Sequence, residues 1–69
     1  MTTDRLWRVR KDHTWIDAHV QEREGAVEVR YFYDGEPIFS QHWPTRELAL
    51  TDAAARLHSL QRAGWTTHW

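Results

Sequence analysis

The chain predicts an α+β fold: a four-stranded antiparallel meander with one C-terminal α-helix packed on one face. Three observations predict it. Glu24-Gly25 and Asp34-Gly35 interrupt runs in which apolar and polar side chains alternate, the pattern of hairpins closed by two-residue turns. After Pro44 the apolar period lengthens to that of a helix, with Ala49, Leu50, Ala53, Leu57 and Leu60 on one stripe. Finally, once the tight turns fix the cross-strand partners, one parity of the strand positions is apolar throughout.

Each element has its own signal. Residues 6–11 alternate and form the first strand, and Asp12-His13 turns the chain into a second strand at 14–23. The third strand covers 26–33 and the fourth 36–43, and β-branched and aromatic residues fill both. Pro37 has no N–H to offer a neighbour, which places the fourth strand at a sheet edge. Thr45 suits a helix N-cap and Glu47 the positive first turn that follows. The helix then runs to about Ala63, with Asp52 and Arg56 as an i,i+4 pair off the apolar stripe. Gly64 fits the left-handed residue that ends a helix, and Trp65 is placed to fold back onto Leu60. Residues 1–4 and 66–69 are expected to be short flexible ends of a single domain spanning 1–69.

Composition narrows the function classes. Sixty-nine residues support only a small core, which a partner chain would help to complete. The absence of cysteine excludes disulfides and thiolate metal sites. No run is apolar enough to span a membrane, and residues 1–5 lack the apolar stretch of a secretory signal, so a cytoplasmic location is expected. The excess of arginine over lysine and the frequent alanine match the coding bias of a high-GC bacterial or phage genome. A net charge of −1 is unlike that of a strongly basic nucleic-acid binder, although it permits a local basic patch. Five tryptophans are the compositional outlier, supplying large apolar area to a core or an interface.

With two-residue loops throughout, Trp7, Val9, Ile16, Ala18, Val20, Val27, Val29, Tyr31 and Ile38 share the face beneath the helix. Ser40 and His42 fall on that side as well. The opposite face receives Leu6, Arg8, Arg10, Trp15, Asp17, His19, Gln21, Arg23, Glu28, Arg30, Phe32, Phe39, Gln41 and Trp43. One helix covers only one side of a sheet, so the mixture of guanidinium and aromatic groups on the other side needs an account. Three compete: a solvated face with locally paired charges, a protein interface, and a nucleic-acid-binding face. The interface reading favours a homodimer or a protein partner, with Leu6, Trp15, Phe32, Phe39 and Trp43 as an apolar patch. In the alternative, arginines neutralise phosphates while rings stack on unpaired bases. The candidate binding residues under either reading are Arg8, Arg10, Trp15, Arg30, Phe32, Phe39 and Trp43.

Catalytic chemistry is not signalled. His13, His19, His42, His58 and His68 show no helical i,i+4 pair of the kind that holds a metal, so neither metal nor cofactor is expected. No glycine-rich phosphate loop is present, since Gly25, Gly35 and Gly64 each have a turn or cap to serve. Ser40 and His42 are the nearest approach to a nucleophile and base, and no orienting group accompanies them. The sequence therefore reads as a small non-catalytic binding module without a small-molecule substrate.

Overall fold

The computed structural model describes residues 2–67, and Met1, His68 and Trp69 lie outside the described residues. The fold is α+β, an antiparallel sheet with one helix packed on it. Strands β1 (Thr2–Lys11), β2 (Thr14–Arg23), β3 (Ala26–Tyr33) and β4 (Glu36–Trp43) form the meander. Helix α1 (Arg46–Arg62) follows, and a two-residue strand β5 (Thr66–Thr67) returns to the sheet. The strand order is β4-β3-β2-β1-β5, so β4 is an edge, as Pro37 requires.

The hairpin turns form where the sequence places them. Lys11 pairs with Thr14, Arg23 with Ala26 and Tyr33 with Glu36, leaving two residues in each loop. Glu24 and Gly25 have φ of 49° and 79°, and Asp34 and Gly35 have 50° and 85°. Both central residues are thus left-handed, which suits the right-handed twist of the flanking strands. Asp34 also ties its hairpin to β2: its N–H donates to the Trp15 carbonyl and its carboxylate accepts from the Trp15 N–H, both at 2.9 Å.

The helix is fixed at both ends and along its middle. The Thr45 hydroxyl accepts from the Leu48 N–H at 3.2 Å, capping the N-terminus. At the other end the Trp65 N–H reaches the Leu60 carbonyl and the Gly64 N–H the Gln61 carbonyl. These are the two bonds of a Schellman motif, with Gly64 at φ 101° in the left-handed position. Arg46 bonds Glu22 of β2 at 2.9 Å, and Lys11 of β1 donates to the Ala63 carbonyl at 3.0 Å. Ala49 and Ala53 are fully buried, and their small side chains let the helix lie close to the sheet. That approach brings the Trp7 indole N–H within 3.0 Å of the Ala53 carbonyl.

Parity holds along β2 and β3. Ala18, Val20, Val27, Val29 and Tyr31 are buried with Trp7 and Val9, while Ile16, Leu57, Leu60 and Trp65 pack at the margin. It fails at two places, each a β-bulge. In β1, Arg5 pairs with His19 and Trp7 with Ala18, so Leu6 is the extra residue. In β4, Pro37 pairs with Phe32 and Phe39 with Tyr31, so Ile38 is the extra residue. A single inserted residue reverses the parity of everything beyond it. Phe39, Gln41 and Trp43 therefore lie on the helix side, not the outer face, and Ser40 and His42 lie on the outer face, not under the helix. Leu6 leaves the outer face to pack against the core, and Arg5 takes its place opposite His19. The physical reason is apolar burial: the bulge delivers the rings of Phe39 and Trp43 to the core side and two polar side chains to water.

The expected loose ends are partly strand. Residues 2–4 begin β1, and β5 pairs with β1 through Val9 with Thr67 and Arg10 with Thr66. The Thr66 hydroxyl donates to the Arg10 carbonyl at 3.2 Å, and Gln61 donates to the Thr67 hydroxyl at 2.9 Å.

Candidate interaction surfaces

The outer face of the sheet is polar and internally bonded. Arg8 and Asp17 are cross-strand partners, and the guanidinium grips the carboxylate with two parallel bonds, Nε to Oδ1 at 2.6 Å and Nη2 to Oδ2 at 2.9 Å. This bonding to Asp17 raises the Arg8 pKa further. His19 Nε2 lies 3.9 Å from Oδ2 of the same carboxylate, and its ring meets Phe32 edge-on with centroids 4.9 Å apart. Trp15 receives the guanidinium of Arg8 at 5.3 Å and that of Arg10 at 5.2 Å from its centroid. Glu28 stands between Arg30, at 4.0 Å, and His42, at 3.5 Å.

Register adds to this face an arginine that alternation alone does not place there. Among the described residues Arg5, Arg8, Arg10, Arg23 and Arg30 share it with Asp17, Glu28 and the turn residue Asp34, which lines one hollow with Arg8 and Trp15, a net of +2. The total of −1 then leaves −3 for the rest of the chain. The arginine that the sequence reading missed is Arg5, hidden by the bulge at Leu6.

The helix side carries the opposite character. Among the described residues the large exposed apolar ones are Tyr33 at 41%, Ile38 at 52%, Phe39 at 43%, Leu48 at 47% and Leu50 at 37%. They lie on the helix, on the helix-facing parity of the strands, or at the β4 bulge, and none on the outer face. Between α1 and β4 lies an open groove of about 360 Å³, walled by Trp7, Ile16, Tyr31, Ile38, Phe39 and Leu60 and bordered by Arg56. Tyr31 and Phe39 stack there at 4.7 Å with a 23° tilt. The Arg56 guanidinium covers both rings, 5.3 Å from Tyr31 and 5.1 Å from Phe39. It is held by Asp52 at 2.8 Å and by Gln41 at 3.0 Å, and the bond to Asp52 raises its pKa. Burial raises the Tyr31 pKa, and its buried hydroxyl has no protein hydrogen-bond partner.

The candidate binding residues therefore divide. Arg8, Arg10, Trp15, Arg30 and Phe32 stay together on the outer face, whereas Phe39 and Trp43 belong to the helix side. Trp43 packs against the core with its indole N–H buried and unpartnered. Among the described residues no group of three His, Asp or Glu side chains is placed to hold a metal ion. No described helix is long and apolar enough to cross a membrane. No family model, curated protein or solved structure matches the chain.

The β4 edge completes the picture. Residues 38–43, Ile-Phe-Ser-Gln-His-Trp, contain no Lys, Arg, Asp or Glu. Sheet edges are ordinarily blunted by charge, proline or a bulge. Here Pro37 and the Ile38 bulge guard the start of the strand, and the stretch from Phe39 onward has neither. The opposite edge differs: β1 carries Asp4, Arg5, Arg8 and Arg10 and is partly covered by β5.

Proposed function

We propose that this is a small non-catalytic binding module that self-associates through β4, a second copy adding its own β4 antiparallel to the first. The observation that carries the reading is the uncharged edge at 39–43 lying beside the exposed apolar Ile38 and Phe39. Backbone pairing along such an edge supplies affinity, and apolar side chains next to it supply burial. Antiparallel self-pairing is two-fold and closes at a dimer, so it gives a defined assembly and not a fibre. It also answers the small-core problem of a 69-residue chain by covering Ile38 and Phe39. The surface differs from the outer face that the sequence reading chose, because Leu6, Phe39 and Trp43 are not there to form its patch. The expected cytoplasmic location is carried into this reading, since neither fold nor pairing requires a disulfide.

Light scattering on the eluting protein across a concentration series tests it. The chain is expected at twice its monomer mass. Ser40→Lys and Ile38→Lys, which charge the edge at two exposed positions, are expected to give monomers with unchanged circular dichroism. A strict monomer at the highest concentration, or variants that remain dimeric, would reject the assignment.

A further inference from the structure

The outer face is on the other side of the sheet from the groove, and its chemistry is independent of the β4 edge. We infer that it binds single-stranded nucleic acid, with the β1 arginines on the phosphates and the rings of Trp15 and Phe32 against bases. Charge is the first argument. A net of +2 on one face of a chain whose remainder sums to −3 orients the molecule toward a polyanion, despite a total that gives no such sign.

Placement is the second. Arg5, Arg8 and Arg10 follow one another along β1 on the same side of the sheet. Alternate strand residues lie about 7 Å apart, and on either side of Arg8 this spacing leaves Arg5 and Arg10 to meet separate phosphates of an extended strand. Beside this rail, on the central strands β2 and β3, Trp15 and Phe32 are half-buried and hold their rings on the same face. Arg30 lies two residues from Phe32 along β3, beside His19 in the row that Arg5 begins. Cations flanking aromatic rings on a sheet are what an unpaired strand needs, because its bases expose faces that a duplex keeps stacked. An acidic peptide would use the arginines but not the rings.

The existing bonds set the order of importance. Arg8 is committed to Asp17 by two bonds, so its role is to position Trp15 and not to lead the contact. Arg5, Arg10 and Arg30 are exposed; Arg10 donates through Nε to the Asp12 carbonyl at 3.0 Å and lies 5.2 Å from the Trp15 ring centroid. The Glu28 contact with Arg30 is long, at 4.0 Å, and an exposed pair of that kind exchanges readily for a phosphate.

The test is fluorescence anisotropy of a labelled oligothymidylate titrated with the intact chain. Three neutralised phosphates imply that raising salt from about 50 mM to about 200 mM weakens binding roughly 20-fold. Arg5→Ala with Arg10→Ala is expected to weaken binding at least tenfold and to flatten the salt dependence. Trp15→Ala should weaken it by a similar factor, whereas Trp15→Phe, which keeps a ring, should retain most of the affinity. No binding at the lower salt by a chain with native circular dichroism would overturn the inference. So would equal competition by polyglutamate, which would transfer the face to acidic proteins, or Trp15→Ala binding as tightly as the parent.

Discussion

The two faces of the sheet are built from the same strands and held by different physics. Beneath the helix, Val9, Val20 and Val29 are wholly buried, and one buried indole reaches one helix carbonyl. On the outer face, order comes from a bidentate ion pair, two guanidinium groups against one indole, and a histidine edge on a phenyl ring. Burial is worth about 1.5–3 kcal/mol for each large side chain, and an exposed pair about 0–1 kcal/mol. The helix side therefore determines whether the chain folds, and the outer face is comparatively free to be shaped by what it binds. The two bulges enforce this division by sending rings inward and polar groups outward.

Trp43→Ala attacks the division directly. The bulge at Ile38 delivers this ring to the core side, where it packs against the buried cluster. The expected cost is about 3 kcal/mol or more, seen as a lower urea midpoint. Retained stability would show that the rings placed by the bulge do not support the core.

A smaller effect is expected on the other side. Asp17→Asn leaves the Arg8 guanidinium without its carboxylate, and because Arg8 is about one-third exposed, at 35%, water compensates much of the loss. Denaturation should register about 1 kcal/mol. A loss matching that of Trp43→Ala would mean that the outer face is as structural as the core.

Tyr31→Phe gives the smallest and most diagnostic effect. Its hydroxyl is buried without a protein partner, so removing it should leave stability unchanged or raise it by up to about 1 kcal/mol at neutral pH. The pH dependence has a definite sign. Burial raises the folded pKa of Tyr31, so above about pH 10 the unfolded chain loses this proton while the folded chain keeps it, and stability falls as pH rises toward the folded value. Melting curves in alkaline buffers should show less of this decline in Tyr31→Phe than in the parent. An identical alkaline slope would remove Tyr31 from the account.

The hairpins, the helix limits and the Schellman end were legible because each rests on a few residues with strong local preferences: Asp-Gly turns, a threonine cap, a glycine after the last turn. Parity was legible along β2 and β3, where no residue is inserted. It was lost at Leu6 and Ile38 because a bulge changes register without changing composition. A trace of each was present, in Leu6-Trp7 and Ile38-Phe39, neighbouring large apolar residues that break alternation. The same trace occurs in Tyr31-Phe32-Tyr33, where no bulge follows and Phe32 simply faces outward. Adjacent apolar residues thus mark a choice between a bulge and an exposed ring, and only the packing of the neighbouring strand decides it. The groove was not legible for the same reason, since its wall at Phe39 exists only after the register shift.

The Trp7 indole and its acceptor on Ala53 are 46 residues apart in the chain. All four strands of the meander leave the ribosome before the segment that shields their greasy side. During synthesis the nascent hairpins must therefore stay dispersed with valines and an indole uncovered, until translation reaches the alanines that close over them.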